Sequence, residues 1–386
     1  MKMGKFKKIN LILLIAAVIS CSLNIKAYGA DFNEVSGLNW MSIIDSDSLL
    51  SEITIPGTHD SGAQFGLLSF KVVCQKTTIQ EQLYNGYRYF DIRLEKDGDK
   101  MKLVHGPIDC KSGPGIGTEK LYLDKVLNWY YDFLENNPKE TIIITVKEEH
   151  GDAGEEFSKC FFQNYVGKNT DKWYLKNEIP KLQDVRGKIV LIYRESLDGI
   201  EGFDDTNSGM NFSNWPKQDG QETQSESFPM KSIVNGEKLV NVNLQDRYKL
   251  DDEKKWNEAI TSMLDEDLNK EEININFFST STGVGPKHTS KNINNNFLSY
   301  NMDNNKYYGI LVVDNGDKEI ARKIYFANNN VLDKEAVPEV STEIKLDSVS
   351  RGLPWIIIII AILILLVFII FKTKKKRVYK KTSKTL

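Results

Sequence analysis

The sequence predicts an α/β fold, an irregular (β/α)8 TIM-like barrel carrying a C-terminal transmembrane helix. Eight short runs rich in β-branched and aromatic residues recur along the chain, and amphipathic helical stretches separate several of them. Near the C-terminus stand nineteen apolar residues without a charge, enough to cross a hydrocarbon core of roughly 30 Å.

Residues 1–30 read as a secretory signal peptide: Lys2, Lys5, Lys7 and Lys8, an apolar run from Ile9 to Ile19, then small residues around Ala27 and Gly29. A second reading takes VISC as a lipoprotein signal with lipid on Cys21. The barrel is expected over residues 31–330, with strands at 53–57, 87–95, 102–106, 141–149, 188–195, 239–249, 275–282 and 307–315. KDGDK, between the second and third runs, has only the length of a hairpin loop, so the barrel should depart from regular alternation there. Residues 331–352 are polar without an apolar period and read as a tether with a reach of roughly 25 Å. LPWIIIIIAILILLVFIIF, 353–371, reads as the span; LPWII lacks the Thr-Gly of a sortase signal, so the span should persist. The tail, 372–386, has eight Lys or Arg and no acid, which by the positive-inside rule puts it in the cytoplasm and the barrel outside the cell membrane.

Setting aside the signal and the tail leaves 37 Lys and Arg against 53 acids, a balance of −16. Such a surface repels nucleic acid, so any anion must be held by a few locally placed cations. Of the four cysteines, Cys21 leaves with the signal, and Cys74, Cys110 and Cys160 remain in an oxidising compartment. One disulfide and one buried thiol are expected, with Cys74 and Cys110 as the pair because they flank two strands that should lie side by side. No cysteine or histidine spacing reads as a metal site.

In a β/α barrel, chemistry sits at the carboxyl ends of the strands. Those ends carry His59 and Asp60, Asp91 and Arg93, His105, Lys147 and Glu149, Arg194, Asp246 and Tyr248, Ser279, and Asp314. Any one charged strand end is ordinarily a solvated or capping group. The convergence carries the argument: two of the four histidines, His59 and His105, fall at strand ends, whereas His150 and His288 read as loop residues. Two imidazoles and an arginine around one pocket suit phosphoryl transfer, with one ring removing a proton, the other supplying one, and the guanidinium neutralising charge on the phosphoryl oxygens.

IPGTHDSG, IQEQLYNGYRYFDIR and LVHGP, followed by ETIIITVKEEHGD, RGKIVLIYR, NVNLQDRYK and GILVVDNGDKEIARKIYFANN, closely resemble the X domain of the bacterial phosphatidylinositol-specific phospholipases C over roughly residues 40–330. The resemblance implies His59 as the base acting on the inositol 2-hydroxyl, Asp314 as the carboxylate orienting it, and His105 as the acid protonating the departing diacylglycerol oxygen, supported by Asp60 and Asp91. It implies Arg93 as the phosphate-stabilising cation, and Lys147, Glu149, Arg194, Asp246 and Tyr248 as the headgroup pocket. The expected product is inositol 1,2-cyclic phosphate, with slow hydrolysis of the ring to follow. No cofactor and no metal are expected, because an arginine stands where calcium-dependent relatives place a carboxylate ligand.

The expected partners are phosphatidylinositol or a glycosyl-phosphatidylinositol lipid and the membrane carrying it, with no nucleic acid and a monomeric chain. Secreted members carry exposed apolar side chains on rim loops; here the matching segments are AQFGLLSFKVV and STGVGPKHTSKN. Phe65, Leu67, Leu68 and Phe70 form either an interfacial patch or a cover for the core. Two other functions stay open: a metal-dependent glycerophosphodiester phosphodiesterase, for which YFDIR offers no evident acidic cluster, and a surface protein that binds inositol or sugars without turnover.

Overall fold

The computed structural model describes residues 36–332, apart from 66–68, 116, 152 and 231–239. The signal, most of the tether, the span and the tail lie outside the described residues, as do Leu67, Leu68 and the side chain of Phe70. Among the described residues no helix is long and apolar enough to cross a membrane.

Among the described residues twelve strands form: β1 Ile55–Thr58, β2 Tyr89–Asp97, β3 Lys100–His105, β4 Ile108–Asp109, β5 Ile142–Glu148, β6 Trp173–Tyr174, β7 Ile189–Tyr193, β8 Met210–Asn211, β9 Glu226–Pro229, β10 Asn241–Gln245, β11 Ile273–Phe277 and β12 Ile310–Val313. Seven of them run parallel in the order β7-β5-β2-β1-β12-β11-β10. Strands β6 and β8 pair parallel to the two ends of β7, and β9 lies antiparallel on β10. The first and last staves thus adjoin, as in a β/α barrel.

The run expected as the third stave is not one. Only Gly98 and Asp99 separate β2 from β3, and Gly98 takes φ 64°, so the chain doubles back as an antiparallel hairpin. A parallel return needs a crossover of about a dozen residues or more. The two-residue β8, which has no β-branched run to announce it, supplies the remaining parallel position.

Alternation along β2 sets the layers. Phe90, Ile92 and Leu94 are fully buried outward, where Phe90 meets Tyr130 with ring centroids 5.0 Å apart. Tyr130 belongs to the helix Leu123–Asn136, which also buries Val126, Leu127, Phe133 and Leu134 on one face. Tyr89, Asp91 and Arg93 take the opposite face and point into the barrel. The rim segment STGVGPKHTSKN at 281–292, read from sequence as a loop, turns at Pro286 into the helix Pro286–Ser299. Proline at its first turn starts it, and Ile293 and Phe297, four residues apart, anchor it. His288 is therefore helical, not a loop residue.

Candidate active site

Strand register builds the first half of the site. Thr58 of β1 pairs with Val313 of β12, so the next residues, His59 and Asp314, emerge side by side at the carboxyl ends. His59 Nδ1 lies 2.8 Å from Asp314 Oδ1, and the His59 amide donates to the Val313 carbonyl at 3.1 Å. On its other side β1 lies close against β2 because residue 57 is glycine, where a Cβ would stand 2.8 Å from the Tyr89 ring. The residues that follow the pair, Asp60 (φ 40°) and Asn315 (φ 50°), both turn into the left-handed region, a strained conformation held where the chain must leave the strand sharply.

Arg93 is fixed in three directions. Its Nε donates to Asp91 Oδ2 at 3.1 Å, its Nη1 lies 3.5 Å from Glu149 Oε1, and its Nη2 donates to His59 Nε2 at 2.9 Å. The last contact requires a lone pair on Nε2, which assigns the ring proton to Nδ1, facing Asp314. Burial works against a charged His59, as does Arg93, but Asp314 outweighs them and raises the imidazole above its ordinary value. Burial would raise Asp91, yet Arg93, His59 and Arg194 hold it down to about 2; its Oδ2 also accepts the Asp60 amide at 3.0 Å.

The β2–β3 hairpin delivers the second histidine. His105 ends β3, and its Nδ1 stands 2.8 Å from Asp60 Oδ2 and 3.3 Å from Cys74 Sγ. The left-handed turn at Asp60 sends its carboxylate away from His59 and toward His105. The expected disulfide is absent: Cys74, Cys110 and Cys160 are free and buried. Cys74 Sγ packs against the imidazole instead, with its backbone pinned by the Ala63 carbonyl at 2.9 Å and the Asn315 amide at 2.7 Å. Burial pushes both the Cys74 and Cys110 thiols well up, so neither is poised as a thiolate.

The opposite wall follows from one row across three strands. Arg93 pairs with Lys147, and Val146 with Tyr193, which places Arg194 next in line. Lys147 Nζ donates to Glu149 Oε2 at 2.9 Å, and Glu149, though burial would raise it, is held by Arg93 and Lys147 down to about 2. Burial lowers Arg194, whose Nε is buried without a hydrogen bond and whose guanidinium carbon sits 3.9 Å over the Trp215 ring. Trp215 Nε1 in turn donates to Asp246 Oδ2 at 3.3 Å. Behind this wall the wholly buried Lys255 donates to Gln245 Oε1 at 2.7 Å and to the Arg247 carbonyl at 3.2 Å, bracing the strand end that presents Asp246; burial brings its ammonium down to about 7.

Ten of the sequence-predicted groups line one cavity of about 630 Å³: His59, Arg93, His105, Lys147, Glu149, Arg194, Asp246, Tyr248, Ser279 and Asp314. Asp60 and Asp91 are buried directly behind the histidines and Arg93. Sequence reasoning missed Trp215, Lys71 and Lys217 on the same cavity. NFSNWPK carries no period, and a tryptophan inside a polar loop was the only available signal. Among the described residues, two sets of donor atoms lie within 4.8 Å of one another and could share a cation: His59, Cys74 and Asp314, and Asp60, Cys74 and His105. Chemically the cavity offers a neutral imidazole with its lone pair inward, a second imidazole backed by a carboxylate, and a fixed guanidinium between them.

The family model described as "Phosphatidylinositol-specific phospholipase C, X domain" matches residues 61–195. The chain is 31% identical over 292 residues to a 1-phosphatidylinositol phosphodiesterase of Staphylococcus aureus, covering 71% of this chain and 81% of that one. It is 33% identical over 175 residues to a protein of the same name from Listeria monocytogenes, covering 42% and 50%. A crystal structure of the S. aureus phosphatidylinositol-specific phospholipase C with an incorporated pentafluoro-Phe superposes with a TM-score of 0.60 at 26% identity, over 76% of this chain and 98% of that one. The L. monocytogenes phospholipase structure gives 0.58 at 25% identity, over 76% and 100%.

Proposed function

Because the chain belongs to the bacterial phosphatidylinositol-specific phospholipase C X-domain family, we propose that it cleaves phosphatidylinositol to diacylglycerol and inositol 1,2-cyclic phosphate by metal-independent acid-base catalysis. One observation carries the mechanism: Arg93 contacts His59 Nε2 at 2.9 Å on the wall of the cavity that His105 also lines. His59 Nε2 accepts the proton of the inositol 2-hydroxyl while that oxygen attacks phosphorus, and Asp314 holds the imidazolium that forms. Arg93 turns from Nε2 to the phosphoryl oxygens, where its charge meets the negative charge of the transition state. The bond from phosphorus to the glycerol oxygen breaks, and His105 gives that oxygen a proton through Nε2, with Asp60 holding its Nδ1. Asp91 keeps Arg93 aimed and fixes the Asp60 amide.

Lys147, Glu149, Arg194, Asp246 and Tyr248 bind the inositol ring, whose hydroxyls need a dense set of donors and acceptors. Trp215 belongs with them, since it positions both Arg194 and Asp246. Trp215→Ala should raise KM for phosphatidylinositol about 10-fold with kcat little changed, in line with the loss of a desolvated cation–π contact; an unchanged KM would remove Trp215 from the headgroup wall. The free ligand is the membrane lipid, phosphatidylinositol or its glycosylated form, and the exposed Val284 beside the cavity mouth suits an approach to a bilayer. We place the catalytic barrel outside the cell, on a single span at 353–371 with a cytoplasmic tail, on the apolar run and the basic residues after it.

The deciding experiment offers the purified full chain vesicles containing phosphatidylinositol, with EDTA present. Diacylglycerol and the cyclic phosphate should both appear at undiminished rate, and phosphatidylcholine should be spared. Loss of turnover in chelator, restored by calcium or magnesium, would favour the metal-dependent phosphodiesterase reading instead.

A further inference from the structure

Cys74 has no part in the proposed reaction, yet its thiol stands at the inner wall of the site. Its Sγ lies 3.3 Å from His105 Nδ1, which itself lies 2.8 Å from Asp60 Oδ2. Asp60 is 1% exposed and its Oδ2 meets His105 Nδ1 at 2.8 Å, so a buried carboxylate oxygen, a ring nitrogen and a thiol converge with their donor atoms all within 4.8 Å of one another. The three donors are sulfur, imidazole nitrogen and carboxylate oxygen from three separated segments, which is why no sequence spacing betrayed them. Together they are the ligand types that bind Zn²⁺, and tetrahedral bonds of about 2.0–2.3 Å need donors only slightly farther apart than these.

We propose that Asp60, Cys74 and His105 form an inhibitory site for a thiophilic divalent cation such as Zn²⁺, entered from the active cavity. The entry follows from exposure: Cys74 and Asp60 are closed off, while the His105 side chain is 26% exposed and lines the cavity, so a cation reaches the cluster past that ring. Binding forms metal bonds to Sγ, Nδ1 and Oδ2 and releases the thiol proton, with the Nδ1 proton of the imidazole also leaving if it is present; no electrons are transferred. Thiolate and carboxylate together neutralise the ion. The alternative set through His59 and Asp314 is disfavoured because Arg93 Nη2 contacts the other nitrogen of that ring at 2.9 Å, placing a fixed cation beside it.

The inhibitory consequence rests on the reading of His105 as the acid. A metal on Nδ1 leaves His105 a neutral ring whose Nε2 proton is far less acidic than that of an imidazolium, so the leaving group departs without its proton donor. Inhibition would therefore coexist with the absence of any metal requirement.

The test uses Cd²⁺ and Zn²⁺ with the detergent-solubilised full chain, first freed of metal. Titration with Cd²⁺ should give a thiolate-to-metal charge-transfer absorption saturating at one equivalent, kept in Cys110→Ser and lost in both Cys74→Ser and Cys74→Ala. Asp60→Asn should weaken Cd²⁺ binding at least 10-fold by calorimetry. Zn²⁺ should suppress diacylglycerol release at least 10-fold, and Cys74→Ala should raise the Zn²⁺ concentration needed by 10-fold or more relative to its own uninhibited rate. Absorption that survives both Cys74 variants, or binding that leaves turnover unaffected, overturns the proposal; thermal unfolding of both variants separates a lost site from a lost fold. Absence of diacylglycerol release without metal would instead defeat the reading of the reaction, while the Cd²⁺ titration would still decide the site.

Discussion

His59→Ala should lower kcat for diacylglycerol release about 10³- to 10⁴-fold, toward the upper range for loss of one positioned base. KM should move little, because the inositol contacts are assigned to Lys147, Glu149, Arg194, Asp246 and Tyr248 and not to His59. The size reflects more than one lost proton acceptor, since Arg93 Nη2 also loses the atom that parks it beside the reacting phosphorus, 2.9 Å away in the resting site. The pH profile carries a second readout. His59 works as a base only when neutral, and Asp314 raises it above the ordinary imidazole value, so kcat/KM should rise with pH through a limb above the usual histidine range. In Asp314→Asn, burial and Arg93 are opposed only by Asp91, the smaller of the two raising carboxylates, and that limb should move to lower pH while kcat falls. A His59→Ala enzyme within 10-fold of the parent, or an acid limb that Asp314→Asn leaves in place, would show that another group takes the proton.

Arg93→Asp should reduce kcat by about 10³-fold, the scale for losing a charged group aimed at the transition state. The substitution also reverses the sign of the local field. Asp91 and Glu149, each held near 2 by Arg93 among others, would face a third carboxylate with only Lys147 on Glu149 and Arg194 near Asp91 to offset it. That trio resembles an oxygen site for a hard cation, so millimolar calcium should restore part of the lost activity in this variant and none in the parent. Arg93→Lys should fall between the two, because an ammonium keeps the charge but cannot reach Asp91, Glu149 and His59 from one fixed plane. Turnover assays with and without calcium on these variants decide the matter; equal activities for Arg93→Lys and the parent would reduce Arg93 to a nonspecific charge.

Much of this was legible in the chain because strand ends advertise themselves. An apolar run closed by a charged residue, as in TIPGTHD or ILVVDN, gives both the stave and the rim group it delivers, and register does the rest. What could not be read depends on three-dimensional accidents of short segments. The two residues of β8 have no periodicity to detect, and β3 imitates a stave in composition even though KDGDK already marks the connection before it as hairpin-length. The helix Pro286–Ser299 is so rich in Asn, Lys and Ser that its apolar stripe reduces to Ile293 and Phe297. Trp215 acts through contacts to Arg194 and Asp246, residues 21 and 31 positions away in the chain, and Cys74 through a histidine reached only by that hairpin. The cysteine pair failed for a related reason: neighbouring strands do not fix where a thiol points.

The bond between His59 and Asp314 spans 255 positions and joins the first stave to the last. A polypeptide still emerging from the ribosome holds its base, its guanidinium and most of its headgroup wall long before it holds the aspartate that orients the base. The His59–Asp314 contact therefore forms only when β12 docks against β1, and a fragment that ends before β12 lacks it.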